Sequence, residues 1–363
     1  MKIALPHNIE TIGVAAFSDN GEIIGALPPN LVSLTSDKAF QYNTIKNLYF
    51  GENLASIGTA YRIFNGSVIQ SVKVHANNAN FYEDQGCIIR RDTKEIYISA
   101  QSATIPSDVT SIGAGAMQSR SQASLTVPAN VTSIGSYAFS SSKFTTISFL
   151  AQCSISSYAF SSCTSLSSVD FSNVTSIGSY AFMSCNKLAK IELPSICKGV
   201  SGSSFQGCTN ITTISVAEEN QRYDSRDGCN AVIETATNTL IRGCVNTTIP
   251  EGITIISNCA FAGAQFTSIT LPNSITDIQG EVFTGCKKLT SITFPVNVGS
   301  IKNYTFNGCT ALKTITSLNP TPPTLGTGNY QGTVTDVYVP EESVELYKTS
   351  WKQYANVIKA IPQ

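Results

Sequence analysis

Charged residues are scarce in this sequence. Asp, Glu, Lys and Arg make up 13% of its 363 residues, against roughly 25% in an ordinary globular domain. The formal net charge is −1, so no basic excess favours nucleic acid or anionic lipid. Apolar runs reach only about four or five residues, far short of a membrane-spanning helix. Hydrophobic residues nevertheless make up 42% of the chain, which together with the low net charge predicts an ordered protein.

Residues that carry catalysis or bind metals are also few. The chain has two histidines, His7 and His75, and no C-x-x-C pair, so the spacing of zinc ligands is absent. It contains neither a G-x-S-x-G nucleophile elbow nor a phosphate-binding loop. Adjacent carboxylates occur only where loops or helix starts are expected, as at Glu218 and Glu219. We predict no enzyme activity, no cofactor and no metal site.

What the sequence has in abundance is one recurring phrase. Its clearest copy is Val174-Thr-Ser-Ile-Gly-Ser-Tyr-Ala-Phe-Met-Ser-Cys185, and related copies lie at 9–17, 109–117, 131–139 and 298–306. The aromatic of the Ala-Phe pair marks the register, at Phe17, Phe40, Phe64, Met117, Phe139, Phe160, Phe182, Phe205, Phe261, Phe283 and Phe306. Successive marks are 21–24 residues apart, except for two gaps of 53 and 56 residues. A fixed period of this length predicts a solenoid.

Each repeat also contains a short apolar strand. In Leu289-Thr-Ser-Ile-Thr-Phe-Pro295 the apolar residues follow the spacing L-x-x-L-x-L, in which one strand per coil stacks into a parallel sheet. Strand alternation then directs Ile292 and Phe294 inward and Ser291 and Thr293 outward. We expect the marker phenylalanines to stack as a ladder of rings, each on a short helical or 3₁₀ turn.

The combined pattern V-T-S-I-G-x-x-A-F-x-x-C and L-x-x-I-x-I/F-P resembles the BspA-type leucine-rich repeats, also called the Treponema pallidum type. The resemblance extends from about residue 3 to about residue 318. It implies an α/β, strand-rich fold, a right-handed leucine-rich-repeat solenoid curved as a horseshoe, with about eleven repeats of 21–24 residues. It further implies a surface-exposed or secreted protein of host-associated bacteria, mainly Bacteroidetes, involved in adhesion to host proteins or in aggregation between cells.

Two β-hairpins are predicted in the long gaps, at about 78–100 and 219–245, because each gap holds two apolar runs around a polar turn. The second also resembles a hairpin insertion of the same family. We therefore divide the chain into a solenoid at 1–318 and a C-terminal cap at 319–363. In the cap, Val337-Tyr-Val-Pro340 repeats a strand, 341–348 forms a short helix, and Trp351 covers the open end of the core.

Eleven cysteines are present. Five of them lie three residues after a marker aromatic, and their constant place predicts a ladder of buried, inert thiols: Cys163, Cys185, Cys208, Cys286 and Cys309. A hairpin turning at Ala236-Thr237 would place Cys229 opposite Cys244 at a separation that suits a disulfide. We predict a disulfide there, with a packed pair of free thiols as the alternative.

The outward side chains of the stacked strands form the expected binding surface of a solenoid. Most are Ser or Thr, and five other residues supply focal contacts: Tyr49, Lys73, Asp170, Lys190 and Glu192. The plainer interpretation is that Ser and Thr simply suit exposed sheet positions.

From these residues and the family resemblance we predict a non-catalytic cell-surface binding or adhesion module. Its expected ligands are proteins of host or neighbouring cell surfaces, extracellular matrix among them. The alternative is a structural spacer or surface-layer repeat without a ligand of its own. We expect a monomer, located outside the cell or on a bacterial surface, reaching a membrane only through an anchor that this sequence lacks, after export by a leader that is also outside it.

Overall fold

The structure is a computed structural model that describes residues 2, 3, 5, 8–24, 27–329 and 333–362. His7 lies outside the described residues. The chain separates into two compact units, Met1–Phe182 (unit 1) and Met183–Gln363 (unit 2). Both are built from short, mostly parallel strands with little helix, as the repeat pattern predicts. The strand-rich leucine-rich-repeat solenoid is therefore confirmed.

Unit 1 contains sixteen described strands and one α-helix. In chain order these are β1 (Lys2–Ile3), β2 (Gly21–Ile23), β3 (Ser33–Leu34), β4 (Asn43–Phe50), β5 (Ser56–Ile57), α1 (Ala60–Phe64), β6 (Val68–Val74), β7 (Phe81–Asp84), β8 (Cys87–Arg90), β9 (Glu95–Ser99), β10 (Ser111–Ile112), β11 (Ser124–Val127), β12 (Ser133–Ile134), β13 (Thr146–Phe149), β14 (Cys153–Ile155), β15 (Ser168–Val169) and β16 (Val174–Ile177).

Unit 2 contains thirteen described strands, one α-helix and four 3₁₀ segments. The strands and helix are β17 (Lys190–Leu193), β18 (Thr213–Val216), β19 (Tyr223–Asp224), β20 (Ala231–Glu234), β21 (Thr239–Gly243), β22 (Ile255–Ile256), β23 (Asp277–Ile278), β24 (Ser291–Phe294), β25 (Ser300–Ile301), β26 (Thr314–Ser317), β27 (Thr324–Leu325), β28 (Asp336–Val339), α2 (Val344–Ser350) and β29 (Ile358–Ala360). The 3₁₀ segments are Gly202–Phe205, Arg226–Gly228, Glu341–Ser343 and Lys352–Val357.

Each coil contributes to two parallel sheets. One, called here the long-strand sheet, has the orders β1-β2-β4-β6 and β11-β13-β15 in unit 1, and β17-β18 and β24-β26-β28-β29 in unit 2. The other, the short-strand sheet, has the orders β3-β5 and β16-β14-β12-β10-β9-β8-β7 in unit 1, and β19-β20-β21-β22-β23-β25-β27 in unit 2. Neighbouring coils are in register, as where Ile112 pairs with Ile134. The two sheets enclose the apolar residues between them.

The marker aromatics form the predicted ladder. The ring centroids of Phe139 and Phe160 are 5.3 Å apart at an interplanar angle of 5°, and those of Phe160 and Phe182 are 5.3 Å apart at 7°. Ladders of the same kind join Phe17 to Phe40 and Phe261 to Phe283. Because offset stacking of aromatic rings is favourable beyond the area it buries, the coils joined by these ladders stabilise one another.

The helical turn expected beneath each marker is wrong for most coils. Helical structure occurs there only at α1 and Gly202–Phe205 among the described markers. In the other coils the backbone bonds to the next coil, as where the N–H of Phe139 donates to the carbonyl of Ala159 at 2.8 Å. Tyr137 beside it has a positive φ of 59°, which turns its N–H toward the carbonyl of Ser157. The neighbouring coil thus offers acceptors that a helix would otherwise supply within the segment.

Both predicted hairpins are present, and they are part of the sheets. Strand β9 lies parallel to β10, with Glu95 opposite Ser111, and β21 lies parallel to β22, with Thr239 opposite Ile255. Strands β8 and β20 then pair antiparallel with β9 and β21. The last strand of each hairpin therefore takes the place of a coil. Counting these and the C-terminal coils, the solenoid has about 15 turns, slightly more than the eleven that the marker residues predicted.

The C-terminal residues continue both sheets. Strand β28 pairs with β26 and β29 pairs with β28, so Val337-Tyr-Val-Pro340 does repeat a strand. Trp351 is buried, and its indole N–H donates to the carbonyl of Pro323 at 2.9 Å. The boundary drawn between a solenoid at 1–318 and a cap at 319–363 stays a prediction.

All eleven cysteines are buried free thiols. A hydrogen bond explains the constant position of the ladder cysteines. The thiol of Cys163 donates to the carbonyl oxygen of Phe139, the marker of the preceding coil, at 3.3 Å. Cys286 and Cys309 repeat this bond to the previous marker at 3.2 and 3.1 Å.

The predicted facing of Cys229 and Cys244 is wrong. A β-bulge between Val232 and Ile233 shifts the pairing of β20 with β21 by one residue. Cys229 consequently precedes β20 at the end of a 3₁₀ turn, and the Sγ of Cys244 lies 3.7 Å from the carbonyl oxygen of Asn230 instead. The register from which the disulfide was argued holds only between the turn and the bulge, and both thiols are free.

Candidate binding surface

The outward side chains of the long-strand sheets, called here the outer face, form in-register rows of hydroxyl groups. Ser124 is paired with Thr146 and Thr126 with Ser148, and the Oγ of Ser148 lies 3.3 Å from the Oγ1 of Thr126. Unit 2 has a row of the same kind on β24 and β26, where Thr293 is opposite Thr316. Since alternate residues of a strand point to opposite sides, the side chains of this face do not pack in the core.

Two of the five predicted contact residues are direct neighbours. Tyr49 on β4 is opposite Lys73 on β6. The Tyr49 side chain is half-buried and that of Lys73 is exposed. Among the described residues Lys73 has no carboxylate within ion-pairing distance. An aromatic ring beside an uncompensated cation is thus available on the outer face of unit 1.

Lys190 and Glu192 form a pair with each other. The Nζ of Lys190 lies 2.6 Å from the Oε1 of Glu192, with 55% and 60% of the side chains exposed. An ion pair this exposed contributes little to stability. Its two charges largely cancel for any ligand at a distance, so it can supply a directional contact but weak steering.

Asp170 is held by a hydrogen-bonded turn. It follows β15, and its Oδ1 accepts hydrogen bonds from the N–H of Ser172 at 3.0 Å and from the hydroxyl of Ser172 at 2.6 Å. These bonds lower the pKa of Asp170 below its ordinary value. The five predicted residues thus comprise two pairs, Tyr49 with Lys73 and Lys190 with Glu192, and the carboxylate of Asp170, which Ser172 holds in place.

Two open clefts on this surface were not predicted. Each lies between the coil that follows a hairpin and the next coil. The first, of about 310 Å³, is lined by Ile105, Met117, Arg120, Leu125 and Phe144 among others. The second, of about 320 Å³, is lined by Ile249, Glu251, Phe266, Ile269 and others. The sequence did contain a signal for the first cleft, because Met117 and Arg120 stand where the repeat has Phe and Cys.

A stack of tyrosines was also missed. The rings of Tyr61 and Tyr137 are 3.9 Å apart, those of Tyr137 and Tyr158 4.6 Å, and those of Tyr158 and Tyr180 4.8 Å. All four side chains are half-buried. Burial and a hydrogen bond with Tyr61 raise the pKa of Tyr137 to about 12. The repeated word Tyr-Ala-Phe was the signal, and it places this second aromatic column two residues before the phenylalanine ladder.

The hairpins carry ion pairs of their own. Arg226 donates to both oxygens of Asp224, at 2.9 and 2.6 Å, and to Asn238 across the hairpin at 3.0 Å. Burial opposes ionisation of Asp224, but the bonds from Arg226 outweigh it and lower its pKa. In the first hairpin Lys94 and Tyr82 both contact the Oδ2 of Asp108. These charged side chains are already paired with neighbours in or beside the hairpins.

The described residues contain no group of three or more His, Cys, Asp or Glu side chains able to hold a metal ion. His75 comes no closer than 4.0 Å to Glu52. None of the helices in the described part of the chain has the length and apolar character needed to cross a bilayer.

The sequence matches the model of the BspA-type leucine-rich repeat region in six copies, over residues 1–85, 95–212 and 242–353. The chain belongs to this family. The recurring phrase, the phenylalanine ladder and the two parallel sheets are therefore features of a BspA-type repeat protein.

Several solved structures are similar to this BspA-type chain, and the first of them has the same fold. A leucine-rich cell surface protein of Faecalibacterium prausnitzii is similar with 18% identity and a TM-score of 0.54, over 99% of this chain and 86% of that one. A leucine-rich repeat protein of Bacteroides ovatus has 20% identity and a TM-score of 0.42, over 93% and 92% of the two chains. The leucine-rich repeat protein of T. pallidum has 18% identity and a TM-score of 0.30, over 70% and 94%. Among curated protein sequences none matches significantly.

Proposed function

We propose that this BspA-type protein is a non-catalytic binding module, exposed outside the cell or on a bacterial surface, that contacts protein ligands through its outer face. The observation that carries the proposal is the Tyr49–Lys73 pair among the in-register hydroxyl rows. Aromatic and cationic side chains are the residues most often found at the energetic centre of protein interfaces. A spacer would need polar side chains at these positions, but neither a partly exposed aromatic ring nor an uncompensated charge.

The proposed ligands are proteins of host or neighbouring cell surfaces, with extracellular-matrix proteins as the first class to test. The outer face offers hydroxyl donors and acceptors with few charges, so its contacts would be short-ranged hydrogen bonds around a few anchors. We further propose that the protein acts as a monomer. Its Faecalibacterium counterpart is described as a cell surface protein, which supports the proposed location.

The test is capture of matrix and mucosal proteins by the folded chain, followed by affinity measurement with each captured protein. The variant Tyr49→Ser with Lys73→Ser should weaken binding at least about tenfold, the effect of losing one interface anchor. A second variant changes Asp170, Lys190 and Glu192 together to alanine. Thr293→Ser, which keeps the hydroxyl on the same face, is the matched control.

Three outcomes are informative. Loss of binding in either variant, with the control unchanged, supports the outer face as the contact surface. Unchanged binding in both variants would indicate that the ligand binds at the hairpins. No ligand at all, from matrix, mucosa or neighbouring cells, supports the structural spacer instead.

A further inference from the structure

The coil before the first hairpin carries its tyrosine on a helix. In the phrase Ser-Tyr-Ala-Phe the tyrosine stands two residues before the marker, as Tyr137 does before Phe139. On α1 the tyrosine is Tyr61, which stands three residues before the marker Phe64. Tyr61 therefore enters the stack of tyrosines from a backbone position that differs from that of the other members.

The coil that follows the hairpin has no side chain at the tyrosine position. Gly115 stands there, two residues before Met117, with a positive φ of 71°. The N–H of Tyr61 donates to the carbonyl of Ala114 at 3.1 Å, so this coil lies directly beside α1. A Cβ added to Gly115 would be 2.7 Å from the backbone N of Tyr61. Because the intervening coil has only a glycine here, the Tyr61 ring reaches Tyr137 in the coil beyond.

The rings of Tyr61 and Tyr137 lie face to face. Their centroids are 3.9 Å apart at an interplanar angle of 10°, which is closer than the roughly 4.5–7 Å usual for aromatic pairs. Burial and the neighbouring hydroxyl of Tyr61 raise the pKa of Tyr137 to about 12. Since the rings are nearly parallel and their hydroxyl groups are neighbours, the ortho carbons of one ring lie over those of the other. Both side chains are partly exposed.

This is the arrangement in which two phenols couple when they are oxidised. Loss of one electron and one proton from each hydroxyl gives two phenoxyl radicals, whose unpaired electrons are shared with the ortho carbons. Two ortho carbons then form a bond perpendicular to the ring planes, the direction in which stacked rings face each other. The hydrogen of each bonded carbon moves to its phenol oxygen, which restores both aromatic rings. Because the rings are already in contact, the coupling is intramolecular and needs no diffusional encounter.

The reaction balances with a peroxide as the oxidant. The two phenols lose two electrons and two protons in total, and hydrogen peroxide accepts them through a haem peroxidase to become two molecules of water. The product is a dityrosine in which a single carbon–carbon bond joins the two rings.

We infer that Tyr61 and Tyr137 form a site of covalent modification, at which peroxidase-type oxidation joins the two rings as dityrosine. The bridge joins residues 76 positions apart in the sequence and encloses the first hairpin in a covalent loop. Closing a loop lowers the entropy of the unfolded chain, as a disulfide does. Neither tyrosine lies on a strand of the long-strand sheet, so the site is separate from the outer face and from the binding role proposed for it.

Oxidation of the dilute protein with lactoperoxidase and hydrogen peroxide tests the inference. We expect a monomer lighter by two hydrogen atoms in intact-mass measurement, with the blue fluorescence of dityrosine. Trypsin then separates the candidate rings, because Tyr61 falls in the peptide 47–62 and Tyr137 in the peptide 121–143. The next ring of the stack falls in 144–187. The expected product is 47–62 joined to 121–143.

Phenylalanine variants identify the reacting hydroxyl groups. Tyr61→Phe and Tyr137→Phe each keep a ring for stacking but remove the phenol, so each should abolish the cross-link. Tyr158→Phe, which changes the next ring of the stack in the same way, is the matched control and should leave the cross-link unchanged. Circular dichroism checks that all three variants are folded.

The bridge should also stabilise the chain. We expect the cross-linked protein to have a Tm higher than that of the untreated protein by at least about 5 °C. Tyr61→Phe treated with the same oxidant controls for other oxidation products and should show no such increase. An unchanged Tm of the cross-linked protein would overturn the stabilising role of the loop.

Three results would overturn the site itself. The first is an oxidised monomer without dityrosine, with cross-links only between molecules or none at all. The second is a main product that joins 121–143 to 144–187, or a loss of the cross-link in Tyr158→Phe, because the next pair of the stack would then be the one that reacts. The third is formation of the same product in Tyr61→Phe or Tyr137→Phe.

Discussion

At the scale of the residue, the cysteines are thiols of low reactivity. Their side chains are buried, and burial raises the pKa of Cys87, Cys153, Cys259 and Cys309 to about 12. Ladder members such as Cys163 also donate to a carbonyl of the preceding coil. Because the thiolate is the reactive species, a thiol with so high a pKa and no access to solvent is a packing residue.

We therefore predict that the folded protein resists alkylation. At pH 8 without reductant, iodoacetamide should modify few of the eleven thiols within an hour, and all eleven once urea unfolds the chain. Intact-mass measurement counts the additions. Nine additions to the unfolded, unreduced chain would show a disulfide and contradict the free state of all the thiols.

The same pKa shifts predict alkaline instability. In the unfolded chain these thiols return to an ordinary pKa near 9.0, whereas in the folded chain they stay protonated up to about 12. The stability they provide is present below pH 9 and is lost as the pH rises, by about 1.4 kcal/mol per thiol between pH 8 and pH 10. Urea denaturation at the two pH values, under reductant, measures the loss. In Cys153→Ala the loss should be smaller by about that one contribution, and an equal loss would refute the assignment.

Some residue roles followed directly from the sequence. The period placed Cys163 and Phe160 in the core because each recurs at a constant position. The opposition of Cys229 and Cys244 could not be tested from the sequence, since a bulge between Val232 and Ile233 shifts the pairing beyond it by one residue and leaves no compositional trace. Arg120 was missed for a related reason: its hydrogen-bond acceptors lie at the end of a hairpin about twenty residues earlier in the chain.

At the scale of the element, a glycine of the repeated phrase marks a close approach between two coils. In the Ser-Ile-Gly word, the Cα of Gly178 lies so close to the preceding coil that an added Cβ would be 2.6 Å from the backbone N of Ser157. Gly13 has the same place in the first coil, where an added Cβ would meet nothing within 4 Å. The same position of the repeated phrase is therefore tightly packed at Gly178 and open at Gly13.

Gly178→Ala should destabilise the protein by about 2–3 kcal/mol, because backbone atoms cannot make room as a side chain can. Gly13→Ala should be neutral or slightly stabilising, since alanine restricts the unfolded chain. Urea denaturation of both variants measures the difference. Similar effects at the two positions would contradict close packing as the reason for glycine.

Strands were easier to predict than turns. The alternation in Ser291–Phe294 fixed both the strand and its inward residues, and β24 has those bounds. A short helical or 3₁₀ turn was expected at each marker, but backbone hydrogen bonds such as that from Phe139 to the next coil take the place of bonds within the segment. Those bonds depend on the neighbouring coil, which local sequence does not describe.

At the scale of the whole molecule, electrostatics has a small part. The net charge is −1, and the ion pairs among the described residues are surface pairs such as Lys190 with Glu192. Exposed pairs are worth about 0–1 kcal/mol each and are screened by salt. Apolar packing and coil-to-coil hydrogen bonds must hold both units together.

Stability should therefore be nearly independent of sodium chloride. Between 50 mM and 500 mM we expect the free energy of unfolding to change by less than about 1 kcal/mol. Sodium sulfate at the same ionic strength should increase it, because sulfate strengthens the burial of apolar surface. A strong dependence on sodium chloride would mean that charge networks support the fold after all.

The in-register pairing of coils also bears on how such a chain can change over generations. Ser111 pairs with Ser133, and Ser133 with Ser154, so equivalent residues in unit 1 are separated by about one period. Removing or duplicating the two periods between the near-identical words at 131–139 and 174–182 returns the chain to the same partner positions. Recombination within the gene can thus lengthen or shorten the molecule by whole coils while the packing of each remaining coil stays the same.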